Sequence, residues 1–430
     1  MSSSKLPIVT FIVFVLAFTL SCGLSDSNNG HESDAPFPCK KGTSKDFTCE
    51  NVDLFAHLSI EELSGNTGEV SLNDIWGWTD PQTEKEYALV GMTNGVSFVD
   101  ISEPENPVIL GVLKETLNPS SSAKKFKALH DEEGKGESAW RDIKTFNNHA
   151  FIVSDNQPHG LQVFSLAKLR NVESPPVSFE EDAHYSEFDN AHNIAINEAT
   201  GFAYVVGSNT FGGGLHIIDI TTPTEPVFAG FHADSTVGRN GGGYVHDTQC
   251  VIYSGPDLDY QGDEVCFNSS ETHLEIVNVS DKNNTIQISA TDYEGRTYAH
   301  QGWLTEDHRF FLLGDELDQG NTTTYIWNVE DLDNPIMSGT RVGNSLSIDH
   351  NQYVKQNHLY QSNYTSGLQI FSLSNIEQNS LEQVGFFDTF PLDDNRKFDG
   401  SWSNYPFFDS GLVIVSDMSN GLFIVRPNLQ

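Results

Sequence analysis

His192-Asn193-Ile194-Ala195 is the stretch that decides the fold, because three later segments repeat its opening. They are His246-Asp247-Thr248-Gln249, His300-Gln301-Gly302-Trp303 and His350-Asn351-Gln352-Tyr353, at successive spacings of 54, 54 and 50 residues. A period near 50 in units that read as strands is typical of a β-propeller. The register extends to Asn73, Arg141 and Trp402, which makes seven units.

Each unit contains short apolar and β-branched runs that are separated by turns. In the first unit the run Tyr87 to Gly91 is followed by the turn Met92 to Gly95 and by the run Val96 to Ile101. A fourth run, Val108 to Val112, comes after a turn that contains two prolines. Such runs, bounded by Asn-Gly and Pro, predict strands and hairpins. Four strands in each of seven units predict an all-β, seven-bladed β-propeller over residues 51–430.

The sequence also predicts how the ring closes. The last unit has only three runs and ends at Val425. The segment Val52 to Ser59 resembles the fourth strands of other units, so we expect it to complete the last blade. This would remove an exposed strand edge, which favours aggregation. Two stretches that lengthen the repeat, Lys114 to Ser138 and Asp234 to Gly243, are predicted to be loops.

The N-terminus has the features of a secretory signal. Lys5 precedes a mostly apolar run from Leu6 to Leu20, which is shorter than the roughly 20 residues that span a membrane. Cys22 resembles the modified cysteine of bacterial lipoproteins, so residues 1–22 are predicted to be a lipoprotein-like signal peptide; ordinary cleavage is the alternative. The polar stretch that follows predicts a flexible tether over 23–50. We therefore expect an exported protein at the outer membrane or cell surface, lipid-anchored or secreted.

The remaining cysteines fit an oxidising compartment. Four are left once Cys22 is set aside, and an even number in an exported chain predicts disulfides. The natural pairing is Cys39–Cys49 and Cys250–Cys266, each closing a short loop. Four free, buried thiols are the alternative.

Charge limits the class of partner. The formal net charge is −37, from 60 acidic and 23 basic residues. A general nucleic-acid-binding protein needs a basic face, so that class is excluded. The acidic residues are scattered, as on a solvated surface. With no visible linker, one large β domain is favoured, and we expect a monomer.

The four equivalent histidines are candidate metal ligands, because the innermost strands of a propeller start beside its central channel. Here His192, His246, His300 and His350 would converge, and imidazoles with or without a carboxylate suit zinc, iron, manganese or copper. The alternative is structural, with these side chains hydrogen-bonding the connecting loops. Strand alternation predicts that only one of two consecutive rings, the histidines or the residues after them, faces the channel.

Further channel residues are expected at two other places. The second position of six units holds Asp74, Asp142, Asn193, Asp247, Gln301 and Asn351. Turns between second and third strands supply acids that could orient the imidazoles, namely Asp155, Glu271, Asp315, Glu316 and Asp417. Four tryptophans near the unit starts, Trp76, Trp140, Trp303 and Trp402, could line a sugar-binding mouth, with core packing as the alternative.

A second candidate site lies within the loop that the Cys250–Cys266 pair would close. The acidic residues Asp257, Asp259, Asp263 and Glu264 surround Gly262, and Ca²⁺ takes oxygen ligands from such turns. A plain acidic hairpin turn is the alternative. The sequence contains no Gly-x-Ser-x-Gly elbow, no phosphate-binding loop and no His-Glu-x-x-His motif.

A family resemblance supports the same fold. The segment Gly214-Leu215-His216-Ile217-Ile218-Asp219-Ile220, with the prolines after it, resembles the LVIVD repeat. With Tyr244-Val245-His246-Asp247 and Tyr298-Ala299-His300-Gln301, the arrangement over residues 50 to 427 is similar to the choice-of-anchor B family of exported bacterial proteins. The resemblance implies a propeller at the cell surface and no particular activity.

Two functions follow as hypotheses. The first is a non-enzymatic cell-surface scaffold that binds a protein or a glycan, with a divalent cation as a structural component. The alternative is a metal-dependent enzyme, a hydrolase or polysaccharide lyase, centred on the four histidines. No catalytic residue is assigned.

Overall fold

Seven antiparallel sheets surround a central channel, one sheet for each predicted unit. The computed structural model describes residues 1, 33–65, 70–116, 140–156 and 158–429, and residues 35–430 form the unit that contains all the sheets. The innermost strands of successive blades contact each other, and that of blade 7 contacts that of blade 1. The predicted seven-bladed β-propeller is thereby confirmed.

Strands are named a to d from the channel outwards. Blade 1 consists of Leu72–Thr79, Glu86–Met92, Gly95–Asp100 and Val108–Lys114. Blade 2 consists of Arg141–Phe146, His149–Ser154, Leu161–Ser165 and Ala183–Tyr185. Blade 3 consists of Asn193–Asn197, Phe202–Val206, Leu215–Asp219 and Val227–His232. Blade 4 consists of Asp247–Ile252, Glu264–Ser269, Leu274–Asn278 and Ile286–Thr291. Blade 5 consists of Ala299–Leu304, Phe310–Asp315, Thr323–Asn328 and Ile336–Val342. Blade 6 consists of Gln352–Lys355, His358–Ser362, Leu368–Asn375 and Ser380–Phe387. Blade 7 consists of Ser401–Tyr405, Val413–Asp417, Gly421–Pro427 and Val52–Leu58.

Helices are few and short in the described residues. One α-helix, Ile60–Ser64, follows the closing strand, and 3-10 turns span Leu166–Asn171, Phe211–Gly213 and Ile376–Gln378. Among the described segments, no helix has the length and apolar character needed to cross a membrane. The extra strand Val177–Phe179 pairs in parallel with the outermost strand of blade 1.

The closing strand lies where the sequence predicted it. Val52–Leu58 pairs antiparallel with Gly421–Pro427 and becomes strand d of blade 7. Leu54 is fully buried in a core that includes Phe423 and Val425. The ring is therefore closed by hydrogen bonds between residues that are distant in sequence.

The predicted tether is too long at its C-terminal end. Strands Thr43–Ser44 and Phe47–Glu50 form a hairpin, and Cys49 pairs with Phe387 in the outermost strand of blade 6. Residues 35–50 therefore belong to the propeller, because strand pairing with blade 6 and apolar side chains such as Phe47 hold them there. The Cys39–Cys49 disulfide links two parts of this segment to each other. The signal peptide, Cys22 and the rest of the predicted tether up to residue 32 lie outside the described residues.

Both predicted disulfides are present. Cys39 and Cys49 are bonded in the N-terminal hairpin, and Cys250 and Cys266 are direct partners on strands a and b of blade 4. Structural disulfides persist in oxidising compartments. They therefore suggest an extracellular or otherwise exported protein.

A buried ion pair joins blades 1 and 2. The Arg170 guanidinium donates to both carboxylate oxygens of Asp80, at 2.8 and 2.6 Å. Asp80 itself is fully buried and also accepts from Thr83 Oγ1 at 2.6 Å. These hydrogen bonds, that from Arg170 above all, lower the pKa of Asp80 to about 2.

This pair predicts a pH-dependent contribution to stability. Because the pKa of Asp80 is lowered on folding, its contribution is complete above the ordinary value of about 3.8 and is lost as the pH falls through about 2. We expect Asp80→Asn to melt below the wild type at pH 6, with the difference narrowing below pH 4. Melting temperatures from pH 2 to 7 check this, with the exposed Asp259→Asn as control; a difference independent of pH would contradict it.

Candidate functional site

Four histidine rings follow one another around one end of the channel, and we call them the histidine arc. Ring centroids of His192 and His246 are 4.3 Å apart, those of His246 and His300 4.2 Å, and those of His300 and His350 4.5 Å. The arc continues through Trp402, 4.3 Å from His350, to Trp140, which stacks on Trp402 at 4.5 Å. The predicted convergence of the histidines is thus present in the fold.

Irregular strand starts bring two consecutive positions inward. His192, His246 and His350 precede the first residue of their strands, and His300 sits at a β-bulge between Ala299 and Gln301. A bulge changes the direction of neighbouring side chains. Strict alternation therefore does not apply, and both the histidines and the residues after them bond to neighbouring blades.

Backbone hydrogen bonds orient the rings of the arc. Nδ1 of His246 bonds to the carbonyl of His300 at 3.0 Å, and Nδ1 of His350 to that of Trp402 at 2.6 Å. The equivalent neighbour of His300 is the carbonyl of His350. Nδ1 of His300 is buried, however, and makes no hydrogen bond of good geometry. A carbonyl accepts only, so His246 and His350 carry their proton on Nδ1 and present a lone pair on Nε2.

Glu316, from the turn between strands b and c of blade 5, faces two of these rings. Its carboxylate oxygens lie 3.8 Å from Nε2 of His300 and 3.6 Å from Nε2 of His350. The hydroxyl of Tyr364 donates to the same carboxylate at 3.1 Å. Burial raises the pKa of Glu316 to about 7 and lowers that of His350 to about 3. The imidazole is therefore neutral at pH 7.

His192 has different electrostatics from the rest of the arc. Its Nδ1 lies 3.0 Å from Oδ2 of Asp155, one of the acids predicted to orient the imidazoles. Burial works against the charged ring, but Asp155, together with Glu316 and Asp247, outweighs this effect and raises the pKa of His192 to about 9. His192 is therefore a cation at neutral pH and a poor metal ligand, because a ligand imidazole must be neutral.

Three other predicted turn acids serve the backbone rather than the arc. Asp315 accepts from the backbone nitrogens of Thr297 and Tyr298, at 2.7 and 2.6 Å, and so fixes the segment before His300. Glu271 pairs with Arg239. Asp417 caps its own turn by accepting from the backbone of Ser419 and Asn420.

At the next level of the channel, a largely buried lysine lies between two carboxylates. Nζ of Lys144 contacts Oδ1 of Asp142 and lies 3.6 Å from Oδ2 of Asp74. Burial opposes the charge of Lys144, but Asp142 and Asp74 together raise its pKa. Burial also raises the pKa of Asp74, whereas Lys144 keeps that of Asp142 low. Lys144 was not among the residues singled out from the sequence.

The remaining predicted residues at this level fasten neighbouring blades. Nδ2 of Asn193 donates to the carbonyl of His246 at 2.9 Å, and Nε2 of Gln301 to that of Gln352 at 3.0 Å. Nδ2 of Asn351 lies 3.4 Å from Oδ1 of Asp74. These amides therefore link different blades to one another. Burial raises the pKa of Asp247 to about 7.

At the opposite end of the channel lies a set of large aromatic rings, which we call the aromatic mouth: Trp76, Trp303 and Tyr353 from strands a, and Phe407 from the segment after strand a of blade 7. Trp303 lies 5.0 Å from Tyr353, and Trp76 lies 5.8 Å from it. Phe407 lies 5.9 to 6.2 Å from the other three rings. A cavity of about 440 Å³ is lined by Trp76, Trp303 and Tyr353 with polar groups from Lys144, Asn197, Asp247 and Gln249.

The four predicted tryptophans therefore divide between two sites. Trp76 and Trp303 are the fourth residues of their units and lie in the aromatic mouth, whereas Trp402 is a first residue and Trp140 precedes one. A strand rises about 3.3 Å per residue, so first and fourth positions are about 10 Å apart along the channel. The sequence contains this offset, so it could have been used to assign the two pairs of tryptophans to different sites.

Glu264, predicted as a calcium ligand, is instead used between blades 3 and 4. It is buried and accepts from Nδ2 of Asn197 at 2.7 Å, the hydroxyl of Tyr204 at 2.6 Å and Nζ of Lys282 at 2.7 Å. Its carboxylate oxygens thus accept from donors of blades 3 and 4.

The other predicted calcium ligands also separate. Asp257 groups with Asp331 and Asp333 of blade 5, all with oxygens within 4.8 Å, while Asp263 accepts from Asn278 at 2.7 Å. Across the described residues, the predicted set with Asp259 forms no group of that size. An acidic surface turn is the better description.

The comparisons with known proteins bear on the repeat. Residues 84–114 and 190–233 match the family model described as LVIVD repeat. The chain carries LVIVD repeats. The first match covers strands b to d of blade 1 and the second all four strands of blade 3, so an LVIVD repeat corresponds to a blade.

A solved structure shares the architecture. The crystal structure of a structural-genomics target protein from Lactobacillus plantarum is similar with a TM-score of 0.52 and 12% sequence identity, covering 80% of this chain and 88% of that one. At this identity the likeness shows the fold alone. No curated protein matches the chain. LVIVD repeats on a propeller suggest a binding or scaffold role.

Proposed function

We propose that the protein is an exported, cell-surface glycan-binding propeller, and that the aromatic mouth is its binding site. The observation that carries the proposal is the cavity of about 440 Å³ in which half-buried tryptophans alternate with amide and carboxylate groups. Ligand pockets of about 300–1,000 Å³ with a few placed polar groups suit small molecules. Aromatic faces pack against the apolar faces of sugar rings, while the polar groups bond hydroxyls.

The dimensions and charge of the protein favour this ligand over others. A protein partner needs roughly 800 Å² on each side, which a concave mouth of this size does not offer. The net charge of −37 disfavours acidic polysaccharides, because like charges repel. A neutral oligosaccharide is therefore the ligand we expect.

Replacing Trp303 by Ala tests the proposal. We expect at least a 30-fold loss of affinity for the best oligosaccharide from an array of neutral glycans, because a central aromatic anchor contributes about 2 kcal/mol or more. Trp140→Ala is the matched control, since Trp140 stacks on Trp402 beside the histidine arc and should leave affinity unchanged. No hit on the array, or equal effects of the two substitutions, would refute a glycan site here.

We further propose that Cys22 holds the protein at the membrane by a lipid. The proposal is supported by the apolar run before Cys22 and by the two disulfides of an exported chain. Cys22→Ser should move the protein from the membrane fraction to the soluble fraction of its natural host. Retention of that variant in the membrane fraction would exclude the anchor.

A further inference from the structure

We infer that His300, His350 and Glu316 bind one divalent transition-metal ion at the histidine end of the channel. Their three ligand atoms lie within 4.8 Å of one another. Each comes from a well-defined element, the starts of blades 5 and 6 and the turn between strands b and c of blade 5. The site is independent of the proposed glycan-binding mouth.

The spacing of the ligand atoms fits one ion. Bonds of about 2.0–2.2 Å in a tetrahedral site separate neighbouring ligand atoms by about 3.4 Å. The Glu316 carboxylate lies 3.8 Å from Nε2 of His300 and 3.6 Å from Nε2 of His350. Each nitrogen is thus within a few tenths of an ångström of the required spacing from the carboxylate, and all three ligand atoms lie within 4.8 Å of one another.

The groups behind the ligands hold them in place. The carbonyl of Trp402 accepts from Nδ1 of His350 at 2.6 Å, which leaves Nε2 of that ring to bind the ion. The hydroxyl of Tyr364 donates to Oε1 of Glu316 at 3.1 Å and fixes the carboxylate from the other side. Partners of this kind typically orient ligands in metal sites.

The surroundings of the three ligands also favour a bound cation. The side chains of His300, His350 and Glu316 are only 2, 4 and 13% exposed. Oδ2 of Asp349, the residue before His350, is buried without a hydrogen bond. Nη2 of Arg396 donates to the backbone carbonyl of Glu316, not to its carboxylate. A divalent cation would stabilise the ionised form of Glu316 in these buried surroundings, where an uncompensated charge is costly.

The donor set selects the ion. Two imidazoles and one carboxylate suit zinc, whereas calcium takes oxygen ligands almost exclusively. Three protein ligands leave a fourth position for water, as in hydrolytic zinc sites. The hydrolase or lyase predicted as the alternative function would therefore have to act here. His192 and His246 complete the arc but lie outside this group.

Zinc titration of the metal-free full-length protein by calorimetry tests the inference. We expect one zinc per chain in the wild type and at least a 100-fold weaker Kd in Glu316→Gln and in His350→Gln. Tyr364→Phe should weaken zinc by about 10-fold, as loss of a hydrogen bond to a ligand does. His192→Gln is the matched control from the same arc and should stay within about 3-fold, because its ring pairs with Asp155.

A second measurement separates lost ligands from lost folding. The wild type loaded with Co²⁺ should show the visible absorption of a tetrahedral site, and Glu316→Gln should lose it while its circular dichroism and melting temperature without metal are retained. No stoichiometric zinc in the wild type, or wild-type affinity in Glu316→Gln, would overturn the inference. If a histidine variant does not fold, Glu316→Gln and Tyr364→Phe decide the question.

Discussion

Lys144→Met is expected to lower the free energy of unfolding by about 3–5 kcal/mol, because it leaves the buried carboxylates of Asp142 and Asp74 without their cation. Nζ of Lys144 lies 4.5 Å from the ring centroid of Trp76. A methionine at this position fills most of the same volume over that ring. Electrostatics is therefore the main term that changes. Chemical unfolding of the two proteins at pH 7 gives the difference directly.

A matched control and a rescue make this prediction specific. Lys85→Met removes an ion pair with Asp100 in which the lysine side chain is 50% exposed, and it should change stability by less than about 1 kcal/mol. Adding Asp142→Asn to Lys144→Met should recover part of the loss, because the two sites are coupled. Equal effects of the two lysine substitutions would show that the channel network contributes nothing special.

Removal of the closing strand is expected to have the second large effect. A chain that begins at Ser59 lacks Val52–Leu58, and the edge of Gly421–Pro427 loses its partner. We expect this chain to form oligomers on size exclusion and to lose its cooperative thermal transition, since an unpaired edge recruits other chains. Leu54→Ala alone should cost about 2–5 kcal/mol, because Leu54 is fully buried.

A second truncation isolates the role of the strand. A chain that begins at Ala35 keeps Val52–Leu58 and should behave as the wild type. A peptide of residues 35–58, added in trans to the shorter chain, should restore monomers and the thermal transition. A monomeric chain from Ser59 that melts as the wild type would disprove closure by this strand.

The fold could be predicted because its determinants are local and repeated. The openings at His192, His246, His300 and His350 set the period, and the Gly-Leu-x-Ile/Val runs set the third strands. Ring closure and the disulfides followed from counting strands and cysteines. The structure of residues 35–50 was missed because a polar composition predicts a tether, whereas the pairing of Cys49 with Phe387 and the packing of Phe47 attach the segment to blade 6.

The sites were predictable only in part, since they depend on distances between blades. Convergence of the histidines follows from the repeat, but their different roles do not. Asp155 and Glu316 both directly follow strand b of their blades, yet Asp155 pairs with His192 whereas Glu316 faces both His300 and His350. The fourth positions of the units, among them Trp76, Lys144, Trp303 and Tyr353, form the other end of the channel. Comparing repeats position by position could have found them.

Closure by an early strand has a consequence for the order of folding during synthesis. Asp53 hydrogen-bonds Asn428, 375 residues further along the chain. At about 5–20 residues per second, the ribosome needs roughly 20–75 s to make that partner. For this time the early strand cannot occupy its native place, and six blades can form before the ring joins. Contacts of such high sequence separation fold slowly. Ring closure therefore follows the synthesis of the last blade, and until then the early strand needs protection from other chains.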